Sequence, residues 1–319
     1  MMPERPDSAI EARQLTRRFG DFIAVAGIDL AVRHGEVFGL LGANGAGKTT
    51  AIRMLCGTLP PTSGGIRIAG IDMVESARKA RGRIGYVAQR FALYGDLTAR
   101  ENLALQAGLY GLTRARARAR IDWALDRLDL ADTASERASR IPLGHQRRLA
   151  VAAALLHEPD VLFLDEPTSG IDPLARGELW ELVYELAEAG VGVLITTHYM
   201  DEAVFCDRLA LMHGGRIVVE STPGALLDRG LSIPIVEVES AGIANCLPLL
   251  TRDPDVQEIV PYAGRLRVRL RAGRDAAAVA QRMVAEAAGA GMAIDRAAPA
   301  TAQFEDVIVA LLESLEPAA

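Results

Sequence analysis

The spacing of apolar residues changes along the chain, and it predicts strands that alternate with helices over the first two thirds. Short apolar runs between glycine-rich or polar turns predict strands, and residues 37–41 form the clearest of these runs. Between residues 97 and 156 the apolar positions recur at helical spacing, and Thr98 with Glu101 matches a capping box. The other predicted strands cover 9–36, 66–68, 84–87, 161–164, 191–196 and the surroundings of 209 and 217, and further helices cover 48–55 and 174–188. This alternation predicts an α/β fold.

The last ninety residues have a different pattern. They predict a strand at 234–238, a helix at 243–250, strands at 256–260 and 266–270, a helix at 275–288, a strand at 292–294 and a helix at 303–315. The order βαββαβ is typical of a small ferredoxin-like α+β domain. We therefore predict a large domain over residues 9–228 and a small accessory domain over 232–319.

Composition argues against several classes of protein. The 319 residues carry a net charge of -6, which gives no electrostatic argument for nucleic acid as a partner. Cys56, Cys206 and Cys246 are far apart and odd in number, which argues against a disulfide framework and against zinc. The polar N-terminus predicts no signal peptide. The longest apolar runs fall far short of the ~20 residues that cross a bilayer, so any membrane part is expected from another chain.

A glycine-rich loop follows the apolar run 37–41 and matches the pattern GxxxxGK[ST]. Glycines allow the backbone to approach phosphate groups, and the start of the next helix adds positive potential. Lys48 suits the β- and γ-phosphates of a nucleotide, and the Thr49 hydroxyl suits Mg²⁺. The residues predicted to bind the nucleotide in this loop are Gly42, Asn44, Gly45, Ala46, Gly47, Lys48, Thr49 and Thr50.

Two further predicted strands end in polar groups. The run 161–164 delivers Asp165 and Glu166, and the run 191–196 is followed by His198. Because successive side chains of a strand point in opposite directions, the two acids can have separate roles. We predict that Asp165 sits by Mg²⁺, that Glu166 polarises the attacking water and that His198 donates to the γ-phosphate.

Taken together, these motifs resemble the ATP-binding cassette (ABC) transporter ATPases over residues 9–228. Phe19 matches the aromatic residue that stacks on adenine, Gln89 the Q-loop glutamine and Asp172 the D-loop aspartate. The resemblance implies that Gln89 contacts Mg²⁺ or water and that the cofactors are ATP and Mg²⁺. It also implies a P-loop NTPase cassette: a mixed sheet core with a helical subdomain at about 97–156 and an antiparallel β subdomain.

The signature segment departs from the family pattern. Where the family has Leu-Ser-Gly-Gly-Gln, this chain has Ile-Pro-Leu-Gly-His at 141–145. Pro142 offers neither a hydroxyl nor an amide donor, and Leu143 adds bulk where glycine permits close approach. A helix start and the amide of Gly144 remain. The Pro-Leu-Gly version resembles a bacterial drug-exporter branch whose membrane subunits are separate chains.

The resemblance implies two partners. A second copy of the chain, in a head-to-tail dimer, places Gly144 and Asp172 against the nucleotide of the first. An integral membrane permease is the other, with the chain peripheral on the cytoplasmic face of the membrane. We hypothesise that residues 90–102 dock the permease through Phe91, Leu93, Tyr94 and Leu97, with ordinary core packing as the alternative.

Other functions remain open. Lipid or polysaccharide export, or import, keeps transport but changes the cargo or its direction. A nucleic-acid or translation ATPase with the same cassette is a different class, although Lys48 and Gly144 are too close in sequence for a long coiled coil between them. The arginine-rich run 114–120 reads as a solvated helix face, because a helix spreads its charges around the surface.

Overall fold

The computed structural model describes residues 8–89, 93–230 and 233–314. The chain divides into two compact units, Met1–Thr222 and Pro223–Ala319. The helix Pro223–Gly230 packs against the helix Phe304–Glu313 and so belongs to the second unit, whereas the sequence boundary lay at 228–232.

The first unit contains ten strands and six α-helices in its described part. The strands are β1 (Ser8–Phe19), β2 (Phe22–Arg33), β3 (Val37–Leu41), β4 (Ser63–Ile68), β5 (Ile71–Asp72), β6 (Ile84–Val87), β7 (Val161–Asp165), β8 (Gly192–Thr197), β9 (Arg208–His213) and β10 (Arg216–Ser221). The helices are α1 (Lys48–Leu55), α2 (Ala77–Arg81), α3 (Ala99–Leu109), α4 (Arg114–Arg127), α5 (Leu143–Leu155) and α6 (Pro173–Glu188), and a 3-10 helix spans Met200–Phe205.

The central sheet has the strand order β10-β9-β3-β8-β7-β6. All neighbouring pairs are parallel except β9 and β10, so the sheet is mixed, as the family resemblance implies. Side chains of its strands alternate between two hydrophobic clusters: on β7, Phe163 enters one cluster while Leu162 and Leu164 enter the other. Both faces of the sheet are therefore covered, which is why its strands read as continuous apolar runs.

An antiparallel sheet, ordered β2-β1-β4-β5, shares one of these clusters with α1. Helices α3, α4 and α5 share the other cluster with α6. The predicted capping box is confirmed: Thr98 caps α3 and exchanges hydrogen bonds with Glu101. The arginine-rich start of α4 is largely exposed, with Arg116 paired to Glu158 and Arg118 near Asp122.

The second unit begins with α7 (Pro223–Gly230) and continues through β11 (Ile235–Glu239), α8 (Ile243–Arg252), β12 (Val256–Tyr262), β13 (Arg265–Leu270), α9 (Ala276–Gly289), β14 (Arg296–Ala300) and α10 (Phe304–Glu313). Its sheet is antiparallel in the order β12-β13-β11-β14. The βαββαβ order is as predicted.

The position of the last strand was predicted wrongly. The sequence placed it at 292–294, but β14 lies at Arg296–Ala300. Met292 and Ile294 are apolar because they pack on the core of this unit from a connecting segment. Pro299 is tolerated in β14 because that strand lies at the edge of the sheet.

Among the described residues, no helix combines the length and the apolar character needed to cross a membrane.

Candidate functional site

Four parallel strands of the central sheet deliver their polar groups at the same edge. The glycine-rich loop follows β3 and Gln89 follows β6. Asp165 is the last residue of β7, Glu166 comes directly after it, and His198 follows β8. The carboxyl ends of parallel strands form the usual ligand crevice of open α/β sheets. Residues that are far apart in sequence therefore meet in one place.

The loop between β3 and α1 needs its glycines for steric reasons. Gly42, Gly45 and Gly47 all have positive φ values, of 153°, 85° and 108°. A Cβ on Gly42 would lie 2.3 Å from the Met212 carbonyl oxygen, and one on Gly47 would lie 2.5 Å from that of Ala24. Gly47 also precedes α1, so the first amides of that helix have no acceptor within the helix and face the glycine-rich loop.

Lys48 is a buried cation at the centre of the site. Its Nζ donates to the carbonyl oxygens of Gly42 at 2.6 Å and Ala43 at 3.2 Å, and it lies 3.8 Å from Glu166 Oε1. Burial lowers the pKa of Lys48, and the negative charges of Glu166 and Asp165 partly offset that effect. The ammonium is thus held inside the loop, where it suits a phosphate group.

Asp165 and Thr49 offer hard oxygen atoms suited to Mg²⁺. Asp165 Oδ1 accepts hydrogen bonds from Thr196 Oγ1 at 2.8 Å and Thr49 Oγ1 at 3.4 Å. Burial raises the pKa of Asp165, the charge of Glu166 raises it further, and the two hydroxyl donors oppose this. The described residues contain no cluster of three potential metal ligands. One carboxylate and one hydroxyl, 3.4 Å apart, fit Mg²⁺ held by one or two carboxylates together with nucleotide phosphates.

Glu166 is the convergence point of the polar groups. Gln89 Nε2 donates to Glu166 Oε2 at 2.7 Å. His198 Nδ1 lies 3.2 Å from the same oxygen, although the two atoms are not aligned for a hydrogen bond. The Glu166 backbone has a φ of 49°, and its amide donates to both oxygens of Thr196. A left-handed backbone in a buried glutamate is strained, and such strain is typical of functional sites.

Three predicted nucleotide contacts lie apart from this cluster. Phe19 is 46% exposed at the end of β1, with the Arg17 guanidinium over one face of its ring. Gly144 lies in the first turn of α5, after Pro142 at the N-cap. Asp172 caps α6 by accepting from the amides of Leu174 and Ala175. The nucleotide contacts of these residues stay predictions.

Two residues of the site, Thr196 and Arg147, were not predicted from the sequence. Thr196 links the two acids, because its hydroxyl donates to Asp165 and accepts from the Glu166 amide. Arg147 of α5 donates through Nη1 to the Gln89 carbonyl oxygen at 2.6 Å. The sequence did carry a signal for Thr196, because its hydroxyl lies near the end of the predicted strand that follows the strand ending in the two acids. Nothing in the sequence links Arg147 to residue 89.

The fold and the site define a P-loop nucleotide-binding domain. The family model described as ABC transporter matches residues 25–169. The daunorubicin resistance ATP-binding protein DrrA3 of Streptomyces coeruleorubidus is 43% identical over 247 residues, covering 76% of this chain and 78% of that protein. The Nod factor export ATP-binding protein I of Paraburkholderia xenovorans is 41% identical over 234 residues, covering 73% and 77%. The chain therefore belongs to the ABC transporter family of ATP-binding proteins.

A relative with a longer chain matches over part of its length. The probable multidrug ABC transporter ATP-binding protein YbhF of Escherichia coli is 48% identical over 220 residues. The match covers 69% of this chain but spans only 38% of the length of that relative.

Solved structures agree with the fold. An ATP-binding subunit of an ABC transporter has a TM-score of 0.65 at 29% identity, covering 70% of this chain and 93% of that one. A dimeric ATP-binding cassette in a post-hydrolysis state, bound to ADP and Pi, has a TM-score of 0.62 at 26% identity, covering 67% and 98%.

Proposed function

We propose that this chain binds ATP with Mg²⁺, hydrolyses the nucleotide and supplies the energy for an exporter. The observation that carries the proposal is the grouping of Lys48, Gln89 and His198 around Glu166, at 3.8, 2.7 and 3.2 Å from its carboxylate oxygens. Phosphoryl transfer requires positioning and charge neutralisation more than covalent chemistry, and this set of groups suits both.

Each residue of the site has one task in this proposal. Lys48 neutralises the β- and γ-phosphates, and Thr49 and Asp165 hold Mg²⁺, with Gln89 as a further contact. Glu166 orients the attacking water and accepts its proton, and His198 donates to the γ-phosphate. When bound, Mg²⁺ supplies charge neutralisation on the phosphate oxygens.

A second copy of the chain completes the nucleotide site in this proposal. The start of α5 is exposed at Leu143, and Pro142 caps it without a side-chain hydrogen bond, so the first amides of the helix are available. We infer that Gly144 and the region of Asp172 face the ATP of the partner. The dimeric cassette among the similar structures supports this arrangement.

The proposed permease contact centres on Tyr94, whose side chain is 63% exposed. Buried Asn102 fixes the backbone around it, accepting from the Tyr94 amide at 2.8 Å and donating to the Tyr94 carbonyl oxygen at 2.9 Å. Leu93 instead packs partly against the core, and Phe91 lies outside the described residues. An exposed aromatic ring on a backbone that Asn102 holds by two hydrogen bonds suits docking of a membrane subunit at the cytoplasmic face.

Export is favoured by the names of the relatives, which concern daunorubicin resistance, Nod factor export and multidrug transport. The test is to co-purify the chain with the membrane protein encoded beside it and to measure ATP turnover with and without that protein. A neighbouring six-helix membrane protein that binds the chain and changes its turnover would support export. A neighbouring periplasmic binding protein would favour import instead.

Crosslinking tests the docking surface. A cysteine at Tyr94 should crosslink to the permease in the active complex, whereas one at exposed Val74 serves as the matched control. Absence of the Tyr94 crosslink, or equal crosslinking at Val74, would contradict this contact.

Lipid or polysaccharide export is a second candidate. One relative is named for the export of Nod factor, which is a cargo other than a drug. A nucleic-acid or translation ATPase is disfavoured, since the helices described between Lys48 and Gly144 are short. Arginines of α4 also engage acidic neighbours such as Glu158.

A further inference from the structure

A cavity of about 180 Å³ lies in the first unit, between α5 and α6. Its lining does not include the glycine-rich loop, Asp165, Glu166 or His198, but it does include Gly144 at the start of α5. Its apolar wall comes from the end of β6, from α4, α5 and α6, and from the segment leading into α6. The main apolar side chains are Val87, Leu128, Val151, Ile171, Leu179 and Leu182.

The size of the cavity restricts what can enter. An engineered protein cavity of roughly 150 Å³ binds benzene, whereas pockets for drug-sized ligands measure roughly 300–1,000 Å³. At about 180 Å³, this cavity matches a single aromatic ring or a short branched chain with one small polar group. An exported drug-sized cargo does not fit.

The charged residues of the wall are mostly paired with each other or with neighbours. Arg148 pairs with Asp129 and Glu178, and Arg127 pairs with Glu185. Glu181, the remaining carboxylate of the wall, is exposed to solvent.

Arg147 is different from these residues. No carboxylate lies within ion-pair distance of it in the described part of the chain. Its Nη1 donates to the carbonyl oxygens of Gln89 and Ala88, while its Nε is shielded from solvent and has no hydrogen-bond partner. Burial lowers the pKa of this guanidinium, as expected for a cation without a counter-ion. The Nη2 amino group makes no hydrogen bond within the described residues, so this partly buried cation keeps one accessible donor beside an apolar wall, an arrangement complementary to an amphipathic anion.

We propose that this cavity binds a small aromatic or branched aliphatic carboxylate whose oxygens accept hydrogen bonds from Arg147. The apolar part of the ligand packs between α5 and α6, and its charge supplies the counter-ion that Arg147 lacks. No covalent step is involved.

Occupation of the cavity also affects the nucleotide site. A carboxylate bound at Nη2 draws the Arg147 guanidinium towards the cavity and away from the Gln89 carbonyl oxygen, to which its Nη1 donates. The Gln89 side chain in turn holds Glu166 at 2.7 Å. A bound carboxylate therefore loosens the support of Glu166 and slows ATP turnover. This effect on turnover rests on the proposed ATPase function, whereas the binding of the ligand does not.

Binding is tested with benzoate and the full chain, by ligand-observed NMR and calorimetric titration without nucleotide. Benzoate should bind in the millimolar range, and benzyl alcohol, which has the same ring without the charge, should bind at least about tenfold more weakly. Arg147→Gln should weaken benzoate binding by about tenfold or more. Arg118→Gln, the same change at an arginine on the surface of α4, should leave it unchanged.

A second variant tests the location. Ala175→Phe fills the cavity from α6 and should abolish benzoate binding, and benzoate should then no longer slow ATP turnover. Thermal unfolding of each variant checks that it is folded. If Arg147→Gln does not fold, the comparison of benzoate with benzyl alcohol and the Ala175→Phe result decide the matter.

The proposal is overturned if benzoate does not bind the wild-type chain, or if it binds either folded variant, Arg147→Gln or Ala175→Phe, as well as it binds the wild type. If benzoate binds as expected but no ATP turnover is measured for the wild type, the proposed ATPase function fails and the carboxylate site stands.

Discussion

Three charged side chains, Lys48, Asp165 and Glu166, are buried within one site. Burying charges is costly unless they are paired and hydrogen-bonded. Lys48 lies close to Glu166 and bonds to loop carbonyl groups, while hydroxyl groups of Thr49 and Thr196 satisfy Asp165. The remaining excess of negative charge fits a site that is completed by a divalent cation.

Asp165→Asn should increase stability at neutral pH and reduce Mg²⁺-dependent ATP turnover. Burial raises the folded-state pKa of Asp165 above the unfolded value of about 3.9. A carboxyl group whose pKa is raised by folding contributes stability at pH values below its unfolded pKa. This contribution is lost as the pH rises through its folded pKa. Asparagine shows no such loss and can still accept the hydroxyl hydrogen bonds. The melting temperature of the variant should therefore exceed that of the wild type by a few degrees at pH 7, and the difference should shrink towards pH 4.

Turnover of the same variant should fall roughly 10- to 100-fold, as for the loss of a metal-supporting carboxylate. Thermal unfolding from pH 4 to 7 and an assay at several Mg²⁺ concentrations check both parts. A variant that is less stable than the wild type at pH 7 would contradict the pKa argument.

Phe19→Ala should weaken ATP binding, whereas Phe19→Tyr should not. Stacking of a base on an aromatic ring contributes about 1–3 kcal/mol, so the dissociation constant should rise about tenfold or more. Phe22, which faces Phe19 across the hairpin of β1 and β2, is also exposed, and Phe22→Ala is the matched control. Titration with ATP measures the effect, and equal losses in the two alanine variants would argue against an adenine contact at Phe19.

At the scale of elements, the start of α5 offers fewer hydrogen-bonding groups to a nucleotide than the family signature does. Pro142 occupies the N-cap with φ -55° and ψ 151°, a conformation that serine adopts readily, but it provides no side-chain acceptor. The amides of the first turn are therefore without a side-chain cap. This is the physical consequence of the altered signature segment.

Pro142→Ser should stabilise α5 and strengthen the ATP-dependent dimer. A serine N-cap contributes about 1 kcal/mol, and its hydroxyl lies where the predicted partner nucleotide approaches. Thermal unfolding and the ATP concentration needed for half-maximal dimer formation measure the two effects. A stabilised chain with unchanged dimer formation would mean that α5 does not face the partner nucleotide.

Contacts of Arg176 connect α6 to the segment that carries His198. Arg176 of α6 lies over the Tyr199 ring at 5.3 Å, near Asp201 at 3.4 Å and near Glu202 at 3.6 Å. Glu202 is fully buried, and neither of its carboxylate oxygens has a hydrogen-bond partner in the described structure. The Tyr199 ring in turn packs against the His198 ring, with centroids 4.1 Å apart.

Arg176→Leu alone should destabilise the chain by about 3–5 kcal/mol, because it leaves Glu202 as an uncompensated buried charge. Combining it with Glu202→Leu should recover most of the stability, since paired apolar replacements of a buried ion pair are often neutral. The double variant should nevertheless show a lower kcat at nearly unchanged KM for ATP, because His198 loses its support. Chemical unfolding and steady-state kinetics separate the two effects. A double variant with wild-type kcat would limit Arg176 to a structural role.

The spacing of apolar residues predicts most helices and strands of each unit, but it does not predict some of the contacts between elements of the same unit. The capping box at Thr98 and the helix start after Gly47 are local patterns, so the sequence predicts them. The position of β14 is set by its backbone pairing with β11. Its sequence, Arg-Ala-Ala-Pro-Ala, has no apolar alternation from which a strand could be predicted. The bond from Arg147 to Gln89 joins residues 58 apart in sequence, and no local pattern predicts it.

At the scale of the whole molecule, the topology of the sheet assembles the site. The strand order brings β3, β8, β7 and β6 side by side, so the loop, His198, the two acids and Gln89 share one edge. The parallel α/β pattern was sufficient to predict that these groups meet. It could not give the left-handed backbone of Glu166 or the link through Thr196, because both depend on how β7 and β8 pair.

The central claim is that Glu166 activates water in an ATP site that two copies of the chain share. The most direct measurement is ATP turnover and molecular mass in solution for Glu166→Gln, with and without ATP and Mg²⁺. Turnover should fall at least about 100-fold, since a general base contributes 10²–10⁴-fold, and ATP should hold the variant as a stable dimer. Lys48→Ala, which removes the phosphate contact, should show neither turnover nor an ATP-dependent dimer. Steady turnover by Glu166→Gln close to the wild-type rate, with no dimer in ATP, would contradict the account.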